Sequence, residues 1–379
     1  MSNDQSQSRS QIRTQLSSPS RRRFLQSTAA ASTITGLAGC ITGSSSGSRA
    51  NSLTFMQWSG EFGETAERVL KEPFEEEFDV TINQVPLPSP SDMLSKLQAG
   101  SADFDLVSHW DYTLYRGVQN DLFQEIPLGE VPNVRDRVRD QFNPTSVQYD
   151  PGSEPHHAPY SVSGWGMTYN TDEMDEPSSW EALLTDDMQD SVSLASWMSC
   201  WLGVAAKRAG VPFAEIPNRM DDIWAAIGEF DTAAQTWWGT GQEMERLLTN
   251  ESVLAGSFWF ARTYRLRVDN DVPVRYTVPE EGAPAWIETY TIPNGVDESK
   301  KQLALEFIDY INREEVQERF GRELRYAVPY DFDDIPSDHI YDDHPELPLL
   351  NTERLEPMLQ DIYNSNYNDY TNEFQQRTG

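Results

Sequence analysis

Segments with the hydrophobic pattern of strands alternate along the chain with segments that have the hydrophobic pattern of helices. The apolar run Leu53–Met56 predicts a short strand. After it, Ala66, Leu70, Phe74 and Phe78 recur every fourth residue, which predicts a helix with one apolar face. Pro73 predicts a kink in that helix, because proline has no backbone N–H to donate.

Two more strands are predicted at Val80–Ile82 and Phe104–Ser108, with a helix between them that Asp92 caps at its start. An aromatic loop with Trp110 and Tyr112 follows the third strand. The order strand–helix–strand–helix–strand implies a parallel sheet with binding loops at the carboxyl ends of its strands. We therefore expect an α/β fold that carries candidate ligand contacts on these loops.

The middle of the chain predicts a second region of strands and helices. Small and β-prone residues at Tyr160–Asn170 suit a strand that crosses into this region, and Ser178–Glu181 has the capping-box spacing of a helix start. Further strands are predicted at Ser257–Phe260 and Tyr290–Pro293. A clear amphipathic helix follows, and its apolar side consists of Leu303, Ala304, Phe307, Ile308 and Ile311.

The first fifty residues have the composition of a targeting segment. Arg21 and Arg22 precede a weakly apolar stretch of roughly fifteen residues, which is too short to cross a bilayer. This arrangement resembles a twin-arginine export signal. Cys40 ends a sequence that resembles a lipobox, in which the cysteine becomes the lipidated N-terminus. We predict a signal at 1–39 and a lipid-anchored flexible tether at 40–51.

Charge indicates where the protein works and which partners it excludes. The chain has 29 basic and 61 acidic residues and a formal net charge of −32. Without residues 1–39, which hold five arginines and one aspartate, the net charge becomes −36. Such acidity argues against nucleic acid as a partner, since phosphates need clustered basic side chains. The composition resembles that of haloarchaeal proteins, whose acidity keeps them soluble in concentrated salt.

Motifs for other kinds of chemistry are weak. Cys200 is the one cysteine besides Cys40, so no disulfide can form within the body, and we expect it to be a small buried hydrophobe. The sequence has no P-loop and no dinucleotide fingerprint, which indicates no cofactor. The acidic stretch 331–344 could hold a hard cation or form a solvated loop, and glycosylation at Asn250 stays open.

Tryptophan is the most unusual residue type, with 11 in the chain. A single tryptophan is more often a core residue than a ligand platform. Several of these, such as Trp58 and Trp110, follow directly on predicted strands. Aromatic rings at such positions can bind cations or stack on flat solutes.

Five segments carry a resemblance to a known family. In order and spacing they are similar to extracellular solute-binding proteins of ABC importers, most closely the spermidine/putrescine-binding group. The most specific segment has a Pro-x-Glu-Gly sequence followed by Trp-x-Glu, where the family has Trp-x-Asp. The segments are Leu53–Trp58, Phe104–Tyr112, Ser257–Trp259, Pro279–Glu288 and Arg325–Pro329.

The resemblance implies a two-lobed periplasmic-binding-protein-like fold of type II, with the ligand cleft between the lobes. We expect 52–161 and 288–329 to form the first lobe, and 162–287 and 330–379 the second. The resemblance also implies a monomer on the outer face of the cell membrane. It would deliver its solute to a membrane permease and the associated ATPase, and it would catalyse nothing.

A ligand site is implied as well. Aromatic side chains would form a box around the solute, and the carboxylate of Glu288 would pair with an ammonium group. The box would consist of Trp58, Tyr112, Trp259, Trp286 and Tyr326.

The second lobe departs from the family pattern. Where the family has an acidic turn and a glutamate one helical turn later, this chain has Ala195–Cys200, which includes Trp197 and no carboxylate. A diamine needs an anion at each end, because an unpaired buried ammonium is costly. A singly charged or quaternary amine, or a neutral ring-bearing solute stacked on Trp197, fits at least as well. The ligand therefore stays open among polyamines, quaternary amines, thiamine and sugars.

A secreted hydrolase is the alternative from another class of protein. A glycosidase would use paired carboxylates and tryptophan platforms, and the mature chain has 60 acidic residues from which to form such a pair. The sequence has no recognisable acid/base motif, which counts against this alternative.

Overall fold

The computed structural model describes residues 49–87, 89–145, 150, 154–330, 354–358 and 366–378. The predicted export signal with Arg21 and Arg22, the predicted lipid anchor Cys40 and the acidic stretch 331–344 all lie outside these residues.

The strands of the described residues fall into two sheets, called here sheet 1 and sheet 2. Sheet 1 consists of β1 (Ser52–Gln57), β2 (Thr81–Pro86), β3 (Leu106–Trp110), β4 (Ala158–Gly164), β10 (Ala283–Thr291) and β11 (Leu355–Pro357). Sheet 2 consists of β5 (Gly166–Asn170), β6 (Val192–Ala195), β7 (Ala234–Trp238), β8 (Ala255–Phe258) and β9 (Val274–Thr277).

Helices connect most of these strands. They are α1 (Glu61–Ala66), α2 (Glu72–Phe78), α3 (Pro90–Gln98), α4 (Asp111–Gln119), α5 (Pro132–Arg137), α6 (Met198–Arg208), α7 (Met220–Ala233), α8 (Gly241–Thr249), α9 (Phe260–Asn270), α10 (Glu298–Ile311), α11 (Glu314–Leu324) and α12 (Tyr367–Arg377). Within the described residues, no helix is both long enough and apolar enough to span a membrane.

The predicted strand–helix–strand–helix–strand order is confirmed in sheet 1. Strand β1 lies between β2 and β3 and is parallel to both. Strand β10 then runs antiparallel to β3 and to β4, and parallel to the short strand β11. In sheet 2, β6 is parallel to β7 and β8, while β5 is antiparallel to β8 and β9. The carboxyl ends of β1 and β3 therefore lie side by side.

The segment predicted to cross between the two regions does so at a single residue. Strand β4 belongs to sheet 1 and β5 to sheet 2, and only Trp165 lies between them. Both flanking residues are glycines, because the backbone is closely packed on each side. A Cβ at Gly164 would collide with Leu355, and one at Gly166 would collide with the ring of Tyr276.

The helix with the four-residue apolar period is interrupted where Pro73 predicts an irregularity. A π-helical turn at Glu67–Lys71 separates α1 from α2, and Pro73 lies at the start of α2. A wider turn of this kind is a common cause of helix irregularity. The side chains of Ala66, Leu70 and Phe74 are fully buried, as the period predicts, whereas Phe78 at the end of α2 is half-buried.

Two local predictions in sheet 1 are wrong. Asp92 is not the cap of α3, since the helix begins earlier at Pro90, and the hydroxyl of Ser89 accepts the N–H of Asp92 at 3.1 Å. Proline favours the first helical turn, where no N–H is needed. Trp110 and Tyr112 are also not in a loop, because α4 starts at Asp111 directly after β3 ends.

Other predictions hold in detail. All five apolar residues predicted for the amphipathic helix are buried in α10, and Cys200 is buried in α6. Burial raises the pKa of its thiol. The capping-box segment has its cap at Ser179, but the helix that follows, Trp180–Leu184, is a short 3-10 helix.

Candidate ligand-binding site

Three aromatic side chains come together at the carboxyl ends of β1 and β3. Trp58 directly follows β1, Trp110 ends β3, and Tyr112 lies in the first turn of α4. Because β1 and β3 are parallel neighbours, Trp58 and Trp110 meet with ring centroids 5.1 Å apart. The ring of Tyr112 lies 5.6 Å from that of Trp110. These three rings form one wall at the edge of sheet 1.

Glu288 is a buried carboxylate beside this wall. It lies on β10 opposite Trp110 in the register of the sheet, and only 4% of its surface is exposed. The indole N–H of Trp58 donates to Oε2 of Glu288 at 2.7 Å. Burial raises the pKa of Glu288 to about 8, against hydrogen bonds from Trp58, Trp110 and Trp286 that lower it. The carboxyl is therefore mostly protonated at neutral pH.

A second cluster of rings surrounds Trp165, the residue between the two sheets. Its ring centroid lies 5.5 Å from that of Trp197, 5.3 Å from Trp259 and 6.5 Å from Trp238. Trp197 and Trp259 stack on each other with centroids 5.4 Å apart. Trp197 precedes α6 and Trp259 precedes α9, so both stand where a strand of sheet 2 gives way to a helix.

Trp286 joins the two groups of rings. Its centroid lies 5.4 Å from that of Trp165. It lies on the same face of β10 as Glu288, two residues further along, because alternate residues of a strand share one face. An aromatic surface thus runs from Trp58 on sheet 1 through Trp165 to Trp259 on sheet 2.

Tyr326 reaches the same region from the end of α11. It packs on Phe62 with centroids 5.7 Å apart, and with Trp259 and Ser163 it lines a small cleft. The volume of this cleft is only about 10 Å³, roughly the room for one water molecule. The tryptophans pack on one another, so a solute can enter between them only when the rings move apart.

The structure brings together every residue that the sequence predicts for the ligand site. Those residues are Trp58, Tyr112, Trp197, Trp259, Trp286, Glu288 and Tyr326. Trp110, which the sequence places at a strand end suited to ligand contacts but not in the box, joins them, and the structure adds three unassigned neighbours, namely Asp111, Trp165 and Trp238. For Trp165, the available signal in the sequence was its position between two glycines in the predicted crossing strand.

No metal centre accompanies these rings in the part of the chain that is described. No group of three or more His, Cys, Asp or Glu side chains there has an arrangement that could hold a metal ion.

Comparison with known proteins identifies the family of this chain. Residues 70–346, well over half of the chain, match the family described as bacterial extracellular solute-binding protein. The chain belongs to this family. The family works outside the cell or in the periplasm, which agrees with an exported protein.

Two similar relatives are putrescine-binding periplasmic proteins. SpuD of Pseudomonas aeruginosa is 22% identical over 242 residues, which cover 59% of this solute-binding protein and 64% of SpuD. The match thus spans less than two thirds of the length of SpuD. PotF of Escherichia coli is 23% identical over 288 residues, which cover 67% of this chain and 72% of PotF.

A solved structure supports the fold. The spermidine/putrescine substrate-binding protein PotD of Streptococcus pneumoniae superposes with a TM-score of 0.70 at 18% identity, over 87% of this chain and all of the other. The two-lobed α/β fold of periplasmic binding proteins, predicted from the sequence, is thereby confirmed.

Proposed function

We propose that this protein is the substrate-binding lipoprotein of an ABC importer, and that it captures a small cationic solute in the tryptophan-lined cleft. The solute is polyamine-like or a quaternary amine, and it passes from the cleft to a membrane permease with its ATPase. The observation that carries this proposal is the buried carboxyl of Glu288, whose Oε2 accepts the indole N–H of Trp58 at 2.7 Å and which lies opposite Trp110 in the sheet.

A cation suits this environment for two physical reasons. A buried carboxylate without a counter-charge is costly, and a cation beside Glu288 supplies that charge. Each desolvated cation–π contact adds about 1–2 kcal/mol, and aromatic rings flank the carboxyl on both sides. Three or four such contacts with one ion pair approach the roughly 8 kcal/mol that micromolar affinity needs.

The relatives support an amine as the ligand class. SpuD and PotF are both putrescine-binding proteins, and their sequences align with more than half of this chain. The aromatic residues Trp58, Tyr112, Trp197, Trp259, Trp286 and Tyr326 form the proposed contacts, together with Glu288.

The remaining predictions about the chain belong to the same proposal. Arg21 and Arg22 direct export, and Cys40 anchors the mature monomer to the outer face of the membrane. The first lobe, proposed at 52–161 and 288–329, carries most of sheet 1, and the second, proposed at 162–287 and 330–379, carries sheet 2. The end of β4, the start of β10 and the short strand β11 lie across these bounds in sheet 1, so the exact bounds stay a proposal.

A thermal-shift screen of the purified protein in molar salt tests the proposal. The panel holds putrescine, spermidine, choline, glycine betaine, thiamine and glucose. We expect at least one amine to raise the melting temperature, since a ligand that binds only the folded state stabilises it. Glu288→Gln should remove that increase. A panel without any stabilising amine would contradict the proposed ligand class.

The hydrolase alternative gains no support. The family and the relatives consist of solute-binding proteins. Turnover of a glycan panel by the purified protein is the observation that would revive it.

A further inference from the structure

The two ends of the aromatic cleft differ in charge. The end at sheet 1 holds Glu288 and a second buried acid, Asp111, which is 2% exposed and follows directly on Trp110. The charge of Asp111 acts on Glu288. One oxygen of Asp111 accepts the N–H of Tyr112 at 2.8 Å, so the acid is fixed in place. This end therefore brings two carboxyl groups together, and a cation beside them would favour the charged form of Glu288.

A favourable interaction with the start of helix α4 does not by itself explain why Asp111 is buried. Negative side chains are favoured in the first turn of a helix, but that role does not require burial. The acids in the first turn of α7, Asp221 and Asp222, are exposed. Burial of Asp111 beside Glu288 instead gives this end of the cleft two carboxyl groups for one positive charge.

The end at sheet 2 consists of indole rings. Trp165, Trp197, Trp238 and Trp259 pack together there, with centroids 4.9 to 6.5 Å apart. A positive group contacts this cluster, because the guanidinium of Arg262 lies 5.6 Å from the centroid of Trp259. Its Nη1 pairs with Glu245 at 2.8 Å, so that acid is engaged by the arginine. A second ammonium at this end would meet aromatic rings and a guanidinium.

We infer that the site selects a cation with one charged head and an apolar or ring-bearing body, and that Trp165, Trp197 and Arg262 determine this selectivity. The charged head lies between Glu288, Asp111 and the rings of Trp58 and Trp110. The body lies against the indole cluster of sheet 2. This inference rests on the proposed function, and it excludes diamines as the preferred ligands.

A matched pair of amines tests the inference. Putrescine and pentylamine have the same chain length, but pentylamine carries a methyl group where putrescine carries its second ammonium. Titration calorimetry in molar salt gives both dissociation constants, with choline and thiamine as further singly charged probes. We expect pentylamine to bind as tightly as putrescine or more tightly, and the tightest of the four probes to be singly charged.

The possible results distinguish a failure of this inference from a failure of the proposed function. Tighter binding of putrescine than of every singly charged probe overturns the inference and leaves the proposed function standing. Binding by none of the four contradicts the proposed function itself.

A substitution designed to shift the preference from pentylamine towards putrescine provides a second test. It is made at Trp197, which is only half-buried. Trp197→Asp supplies a carboxylate at the sheet 2 end and should raise the affinity for putrescine relative to pentylamine by about tenfold. Trp197→Leu removes the ring without adding charge and should leave the order of the two amines unchanged. An unchanged order in the folded Trp197→Asp variant contradicts the assignment of Trp197. The comparison in the unmodified protein decides the inference if that variant does not fold.

Discussion

The indole N–H of Trp58 donates to Oε2 of Glu288 at 2.7 Å, although 230 residues separate the two positions in the chain. This hydrogen bond ties the end of β1 to the middle of β10, two strands that are not neighbours in sheet 1. It also explains how a carboxyl can be so fully buried next to aromatic rings, since an indole supplies a donor at the edge of an apolar surface.

The substitution Trp58→Phe tests how much that hydrogen bond contributes to the stability of the folded protein. The substitution keeps an aromatic ring and removes the donor, so the folded protein should lose about 1–3 kcal/mol of stability. Urea denaturation followed by circular dichroism measures the loss. Trp224→Phe is the matched control, because Trp224 packs on Tyr370 of α12, outside the cluster. Equal losses in the two variants would show that the hydrogen bond contributes nothing of its own.

The carboxyl of Glu288 should make stability depend on pH. Its pKa is about 8 in the folded protein, against an ordinary value of 4.5 for a glutamate, so the folded state binds the proton more tightly. Its contribution to stability is fully present below about pH 4.5 and is lost as the pH rises to about 8. Glu288→Gln cannot titrate, so the variant should gain stability relative to the parent protein over this range. A constant difference between the two proteins from pH 5 to pH 8 would contradict the raised pKa.

Arg325 links an element beside sheet 1 to an element beside sheet 2. It ends α11, its guanidinium lies 4.7 Å from the ring centroid of Tyr264 on α9, and Nη1 lies 3.4 Å from Asp269. Arg325→Gln should weaken amine binding about two- to fivefold through faster release, since an exposed contact of this kind contributes about 0.5–1 kcal/mol. Stopped-flow fluorescence measures the release rate. Arg319→Gln, on the same helix, is the control and should bind as the parent does.

A buried aspartate holds two histidines together near the start of β4. Asp150 accepts hydrogen bonds from Nδ1 of both His156 and His157, at 2.8 and 2.6 Å. Burial alone would raise the pKa of Asp150, but these bonds hold it well below its usual range. Asp150→Asn should therefore cost about 3 kcal/mol or more of stability at neutral pH, measured by urea denaturation. A loss below about 1 kcal/mol, as for an exposed pair, would contradict this role.

Much of the fold follows from local patterns in the sequence. The apolar run Leu53–Met56 predicts β1, and the four-residue apolar period after it predicts the first helical segment. The alternation of strands and helices continues through β3. The small residues around Trp165 predict the crossing between the sheets. The wrong cap at Asp92 has a local cause, because Ser89 and Pro90 start the helix three residues earlier.

The candidate site is only partly predictable. The Trp-x-Glu signature predicts Trp286 and Glu288 as site residues. The burial of Glu288, however, depends on Trp58 and Trp110, which come from other parts of sheet 1. The two glycines beside Trp165 indicate a crossing between the sheets, but they do not indicate a ligand contact. The role of Trp165 depends on ring contacts with residues 32 to 121 positions away, which only the folded chain brings together.

The most direct test of the account is equilibrium binding of the amine that stabilises the protein most in the thermal-shift screen. Tryptophan fluorescence and calorimetry in molar salt are measured for the parent protein, Trp259→Ala, Trp286→Ala and the control Trp224→Ala. The account predicts that the first two variants lose binding and its fluorescence change, because each removes a ring that contacts Trp165. The control should bind as the parent does. Unchanged binding curves in both Trp259→Ala and Trp286→Ala would contradict a ligand site in the tryptophan-lined cleft.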